Sequence, residues 1–466
     1  MTPEGENNLR KSDTSQDLFS LKVFLAAVGI LGLVFLALTW LSRGELGLDA
    51  PTGQQSEEVQ LEPLSEPELP SRLSQGEQVL LLTSTLPLKA DGADALIAGD
   101  YDAAVRALEQ AREVDMSDPE TLIYLNNARI GDNPAHSFAV IAPLSNTPEA
   151  AAHLLRGVAQ AQTEINQAEG VEGTPVRIIV ADDQGEVAIA EAIATELSQS
   201  TDVLGVIGHS SAATADAAAA IYASETLPFV SATGSASQSL LSSDLPIAKA
   251  LAFYMDKLNH RTAILFYDGN SDYSLNFRGN FQQALKTYNG TMTAEINLAD
   301  LPDSAPTGTP EAEIFALSPG NSPLETAKNS IEIIPNDKVD HFYRHVFGGH
   351  ELFSPEVLEL FGSMATGTIL AVPDSIYQSP ASPFSESPSS LWQTPVDWTT
   401  SATYNTIQTM VAGVQTAPDR DGVQQALANV SDETVKLLRV RINPDAATGY
   451  ELLSIGTMTQ EGFTPE

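Results

Sequence analysis

From about residue 136 onward the chain alternates short apolar runs with amphipathic stretches. FAVIAPL, VRIIVADD, VLGVIG and AILFYDG are compact apolar segments bounded by polar or glycine-containing turns, the pattern of buried strands. Between them, AAHLLRGVAQAQTEINQA puts Leu154, Val158 and Ile165 on one face of a helix. VAIAEAIATELSQ, IAKALAFYMDKL and LNFRGNFQQALKTY repeat the pattern. TMTAEINLA, residues 312–317, HFYRHVFGG and TGTILAVPD predict further strands. Residues 324–334, 400–414 and 422–430 predict helices, and the Pro/Ser-rich residues 379–396 a loop. LLRVRI and ELLSIGTMT predict a closing hairpin. Strand, helix, strand in repetition predicts an α/β class with parallel sheets. Two such halves joined by crossing strands would leave a cleft between them.

The centre of this pattern is residues 203–235, VLGVIGHSSAATADAAAAIYASETLPFVSATGS. It predicts one βαβ unit, and small-molecule sites in such sheets lie at the carboxyl ends of the strands. Ser210, Ser211 and Thr214 follow the first strand; Ser231, Thr233 and Ser235 follow the second. Hydroxyls and exposed backbone N–H groups beside a helix N-terminus suit an anion, so these residues predict a site for a small carboxylate such as an amino acid. Ordinary helix caps and turns would use the same residues.

The N-terminal third has a different pattern. Residues 1–22 are polar and carry Arg10, Lys11 and Lys22. Residues 23–41, VFLAAVGILGLVFLALTWL, contain no charge and are long enough to span a bilayer. The basic residues before the run predict a cytoplasmic tail, a single-pass inner-membrane anchor and everything else in the periplasm. The run is long for a cleaved signal peptide, and TWLSRG is a poor small-residue cleavage site. Residues 44–78, rich in Pro and Glu, predict a disordered tether. Residues 80–131 predict a helical region. Gly99, Tyr101, Ala104, Leu108 and Ala111 stand at the spacing of a tetratricopeptide repeat, which this stretch resembles over about one and a half repeats. Too short to stand alone as a solenoid, it would pack on the next domain or recruit a partner, and a plain helical hairpin acting as a spacer fits as well.

Composition narrows the functions. The 466 residues carry a formal net charge of −38, which argues against nucleic acid or an anionic membrane surface as partner. There is no cysteine, hence no disulfide or thiolate chemistry. Gly208-His209-Ser210-Ser211-Ala212 approaches a nucleophile elbow, with alanine in place of the last glycine. Asp340, His341 and His345, followed by His350 and Glu351, approach metal-ligand spacing, although Phe342, Tyr343 and Val346 read as a core strand. No phosphate loop or dinucleotide fingerprint is present, and no cofactor or metal is expected. Asn289-Gly290-Thr291 is a formal glycosylation sequon.

These segments together resemble a known family. APLS followed by RGVAQAQTEIN, DDQG before a helix, residues 203–235, FYDGNSDYSLNF and GGHELFSPEVLELFG resemble the type I periplasmic binding proteins. They are most similar to the branched-chain amino-acid substrate-binding components of ABC transporters, and the anchor with a helical hairpin resembles cyanobacterial members. The resemblance implies a two-lobed domain over residues 136–466 that binds its ligand and catalyses nothing. Carried over by position, it implies that the ligand carboxylate meets Ser211, Ala212, Thr214, Thr233 and Ser235, and that Tyr273 reaches in from the second lobe. The acidic residue for the ligand amine falls at or beside His350. A histidine there removes the usual counter-ion unless the neighbouring Glu351 turns inward. A second departure follows residues 237–240, where LSSDLPIAKAL arrives without the strand that usually crosses between lobes.

The expected function is therefore that of a membrane-anchored substrate-binding protein that delivers an amino acid, branched-chain or similar, to a transporter permease. Two alternatives stand beside it: a sensor or scaffold of the same fold, and a serine hydrolase using Ser210.

Overall fold

The computed structural model describes residues 72–81, 87–231, 244–300, 311–318, 323–334, 341–342, 345–383, 391–430, 434–443 and 450–466. All of them lie in one compact unit, Glu62–Glu466. The anchor at 23–41, most of the tether, Thr233, Ser235 and the shortened segment after residue 240 lie outside the described residues. Among the described residues, no helix is long and apolar enough to cross a membrane.

The described residues begin with strand β1 (Leu73–Ser74) and three helices, α1 (Pro87–Ile97), α2 (Tyr101–Val114) and α3 (Pro119–Ile130). Asp100 and Asp118 cap α2 and α3 through their carboxylates, and Pro119 opens α3 where its missing N–H costs nothing. An alternating series follows: β2 (His136–Ala142), α4 (Pro148–Gln167), β3 (Val176–Asp182), α5 (Val187–Gln199), β4 (Val203–Gly208), α6 (Ala212–Ser224) and β5 (Phe229–Val230). The five strands form one sheet in the order β1-β3-β2-β4-β5, parallel except for β1.

The second sheet is built from α7 (Asp244–Lys257), β6 (Thr262–Tyr267), α8 (Asp272–Thr287), β7 (Thr291–Asn297), β8 (Ile314–Ser318), α9 (Pro323–Ile333), β9 (Val346–Gly349), α10 (Pro355–Phe361), β10 (Ile369–Pro373) and α11 (Asp374–Gln378). Helices α12 (Trp398–Thr416) and α13 (Arg420–Ala428) precede β11 (Val435–Ile442), β12 (Tyr450–Thr459) and β13 (Gly462–Pro465). The order is β13-β12-β11-β10-β9-β8-β6-β7. The run β10-β9-β8-β6-β7 is parallel, and β11, β12 and β13 add antiparallel. Both sheets are thus mixed, where the sequence predicts parallel ones. The extra strands come from the C-terminal hairpin and from a segment assigned to the tether.

Each sheet is covered on both faces, and this is why its strands read as continuous apolar runs. On β2, Phe138 and Val140 face a core shared with α3, α4 and α12. Ala139 and Ile141, the alternating positions, face α5 and α6. On β6, Ile264 and Phe266 join the core under α9 and α10, whereas Ala263 and Leu265 pack on α7 and α8.

The two sheets mark two lobes, and the chain passes between them three times. It crosses between β5 and α7, returns between α11 and α12, and leaves again between α13 and β11. The return is firmly fixed. Gly157 of α4 lets α12 approach so closely that a Cβ there would lie 2.0 Å from the Thr400 carbonyl oxygen. Thr400 and Thr403 donate to the His153 and Leu154 carbonyls at 2.9 Å each. At the start of α13, the Arg420 guanidinium donates to four carbonyls, those of Val203, Glu225, Ser198 and Ser200.

Residues 72–81 and 87–131 pack on the first lobe. They form a strand and three helices, and α3 is buried along nearly its whole length. Asn127 of α3 exchanges hydrogen bonds with the Ile178 backbone of β3. Lys89 is fully buried between Asp118 and Glu120, 2.7 Å from each. Glu120 also accepts the Leu80 and Leu81 N–H groups and the Tyr124 hydroxyl. A buried charge requires such pairing, so this network holds the segment in one arrangement. At 341–345, where the sequence predicts a strand, His341 and Phe342 are helical and the strand starts only at Val346.

Candidate functional site

Polar side chains gather at the carboxyl ends of the parallel strands in both lobes. In the first lobe, β4 ends at Gly208, whose φ of +143° and contact with β2 exclude a side chain: a Cβ would lie 2.1 Å from the Ile141 carbonyl oxygen. His209 follows in a left-handed conformation, φ +54°. Its side chain is fully buried, with Nδ1 2.9 Å from Asp183 Oδ2 and Nε2 3.0 Å from the Tyr222 hydroxyl. Both ring nitrogens are engaged, so His209 has none left to take a proton from Ser210. Within this stretch the left-handed backbone belongs to His209, not to the serine that a nucleophile elbow would strain. Sequence reading treats His209 only as part of that motif. The Asp183 in DDQG was the available sign of its partner.

Ser211 is the N-cap of α6. Its hydroxyl accepts from the Thr214 N–H at 3.2 Å and lies 2.8 Å from the Thr214 hydroxyl. Thr214 is buried and also lies 3.1 Å from the Ser211 carbonyl oxygen, to which it donates. The two hydroxyls therefore serve as a cap, and Ser211 alone of the pair is partly exposed. Ala212 opens the helix.

The second lobe carries a denser cluster. Tyr273 sits in the first turn of α8, after β6, and Glu351 lies in a 3-10 turn, His350–Leu352, directly after β9. All three of Tyr273, His350 and Glu351 are buried. The Tyr273 hydroxyl donates to Glu351 Oε1 at 3.1 Å. Glu351 folds back over Gly349, where a Cβ would lie 2.1 Å from Oε2, so the absent side chain makes the space for the carboxyl. Glu351, and not only the neighbouring His350, is thus turned into the interior. Tyr273, His350 and Glu351 are thus brought together, and Ser211, Ala212 and Thr214 occupy the equivalent end of the other sheet.

Burial governs the charges here. It pushes the Glu351 carboxyl up to about 7, with the Asp244 charge adding to the rise, and drops His350 to about 3. Tyr273 is pushed well above its ordinary value by burial and by the Glu351 charge. His350 Nδ1 and Glu351 Oε2 stand 3.4 Å apart, an ion-pair distance. They do not form a charged pair, because burial holds the imidazole neutral, and neither atom makes a hydrogen bond. The Trp398 ring packs edge-on against His350, 4.8 Å between centroids. Asp244, at the start of α7, is pushed up to about 6 by burial. Neither Asp244 nor Trp398 stands out in the sequence.

Other candidates do not assemble. His341 and His345 stack on each other and bond to backbone carbonyls. Among the described residues, no group of three or more His, Cys, Asp or Glu side chains could hold a metal. A cavity of about 570 Å³ lies at the opposite end of the first sheet, lined by Asn126, Asn133, Asn166 and Thr174. The amides of Asn126 and Asn166 are already bonded to Thr163 and Val176.

The comparisons with known proteins agree with this architecture. The sequence profile of the periplasmic binding protein family matches residues 137–308. The fold is that of the type I periplasmic binding proteins. The type I fold recurs in the branched-chain amino acid transporter substrate-binding protein LivJ of Streptococcus pneumoniae, solved with isoleucine. That structure is 16% identical, with a TM-score of 0.53, covering 69% of this chain and 99% of its own. The leucine-binding protein LivK of Thermotoga maritima is 15% identical, with a TM-score of 0.52 and coverage of 70% and 99%. A solute-binding protein of an ABC transporter from Rhodopseudomonas palustris, solved with 3,4-dihydroxybenzoic acid, is 14% identical, with a TM-score of 0.56 and coverage of 71% and 98%. No curated protein sequence matches the chain. One type I fold thus serves ligands as different as isoleucine and an aromatic acid, and the ligand has to be argued from the site.

Proposed function

We propose that this chain is the substrate-binding protein of an ABC transporter and holds an amino acid between its two lobes. Residues 23–41 anchor it in the inner membrane, residues 44–71 carry the binding unit into the periplasm, and a permease receives the ligand. The observation that carries this reading is the buried Tyr273–Glu351 pair at the carboxyl ends of the second-lobe strands. Glu351 is the counter-ion for the ligand ammonium, and a carboxylate hydrogen-bonded by a tyrosine is held in place to receive it. The carboxylate end of the ligand meets the Ser211 end of α6, where helix N–H groups favour an anion. The lobes close on the ligand by a hinge motion.

Thermal unfolding of the full-length chain against a panel of amino acids tests this. A ligand at about 100 times its dissociation constant adds about 2.7 kcal/mol and moves the midpoint by a few degrees. A shift with one amino-acid class that is absent in Glu351→Gln supports the reading. No shift with any amino acid, in a chain that unfolds cooperatively, supports the scaffold instead.

A further inference from the structure

The second-lobe cluster holds one carboxyl more than an ammonium requires. Helix α7 packs across β9, β10 and β11, and Tyr254 near its C-terminal end meets Phe347 early in β9 and Arg439, which pairs with Ile369 at the start of β10, so α7 runs antiparallel to β9 and β10. The first residue of α7, Asp244, therefore lies toward the carboxyl ends of β9 and β10, the end of the sheet from which Tyr273 and Glu351 project. Asp244 is 8% exposed. Its charge raises the proton affinity of both Glu351 and Tyr273, so the three groups share one electrostatic environment. Among the described residues, no lysine or arginine forms an ion pair with Asp244 or Glu351.

Buried carboxyls in folded proteins are paired with cations or metals because an isolated charge is costly to desolvate. Two that lie together without a cation, with Glu351 Oε2 and the neighbouring His350 Nδ1 both buried and unbonded, form an acceptor set for charge that comes from outside. The protein field works in the same direction: 61 acidic residues against 23 basic ones draw cations toward the molecule.

We propose that the ligand is an amino acid with a positively charged side chain, of the lysine, ornithine or arginine class, its α-ammonium and its side-chain cation shared between Glu351 and Asp244. This rests on the amino-acid-binding reading above and narrows it. A neutral aliphatic amino acid would leave Asp244 buried with no cationic partner among the described residues, and that cost sets the selectivity.

Lysine and norleucine have the same carbon chain and differ by the terminal ammonium, which makes them the deciding pair. Calorimetric titration of the full-length chain at pH 8 should show lysine, or one of its two cationic relatives, binding at least tenfold more tightly than norleucine and leucine. In Asp244→Asn that ratio should fall at least tenfold, with the unfolding midpoint of the empty variant confirming that it folds. If the variant does not fold, the wild-type ratio alone decides. Leucine or norleucine binding as tightly as the cationic amino acids would overturn this inference and leave the amino-acid reading standing. An unchanged ratio in a folded Asp244→Asn would also overturn it. No binding by any amino acid would overturn both.

Discussion

Tyr273 and Glu351 stand far apart in sequence, yet both are buried and the Tyr273 hydroxyl donates to the Glu351 carboxyl at 3.1 Å. The bond joins the turns after two different strands of one sheet, so it aims the carboxyl without depending on the other lobe. Tyr273→Phe keeps the ring and removes the donor. A hydrogen bond to a charged group contributes about 1.5–3 kcal/mol. Ligand affinity should fall by about tenfold or more, read by calorimetric titration, with the unfolding midpoint little changed.

Gly349→Ala should separate binding from folding. The added Cβ would meet the Glu351 carboxyl, the far end of a flexible side chain. The carboxyl can move aside at small cost to the fold, but it then leaves the position in which Tyr273 holds it. The expected outcome is a near-native unfolding midpoint and loss of measurable ligand binding. A variant that binds normally would show that the position of Glu351 is unimportant.

The buried acids impose a pH dependence whose sign follows from their direction. Glu351 rises from 4.5 to about 7 in the folded state and Asp244 from 3.8 to about 6. Their contribution favours folding below the unfolded values and is lost as pH climbs through 6 to 7. Glu351→Gln should therefore change stability little at pH 5 and raise it by up to about 3 kcal/mol at pH 8. His350, depressed from 6.5 to about 3, acts on the other limb. Its contribution is intact above 6.5 and is lost as pH falls toward 3. Urea titrations from pH 4 to pH 9 on wild type and variant measure both limbs.

The N-terminal helices belong to the folding unit. Lys89→Met leaves Asp118 and Glu120 buried without their cation, and breaking such a group costs about 3–5 kcal/mol. A fragment starting at residue 133 uncovers the face of β3 and α4 on which α3 packs. It should lose cooperative unfolding, whereas one starting at residue 72 should keep it. Denaturant curves on the three proteins check this.

Much of the architecture was legible because alternate residues of each strand face two apolar cores, which leaves compact apolar runs such as VLGVIG between amphipathic helices. Tyr273 and Glu351 were reachable by family resemblance. Asp244 was not, since its place depends on the direction in which α7 packs across β9 and β10, and no local pattern encodes that. The docking of residues 72–131 was one of several readings left open, because the face of α2 carrying Ala104, Leu108 and Ala111 looks the same in a spacer as in a packed module. The stretch LIYL in α3 was the overlooked signal. Four consecutive apolar residues, Leu122 to Leu125, cover a helix on all sides and demand burial all round. The mixed character of the first sheet rests on β1, two residues long and without a periodic pattern.

The most direct measurement is calorimetric titration of the full-length chain with the twenty amino acids, repeated on Glu351→Gln. Saturable binding of one class with a stoichiometry of about one, abolished in the variant, is the predicted result. No heat with any amino acid, or binding that survives the loss of the Glu351 charge, would contradict an amino-acid site centred on Tyr273 and Glu351.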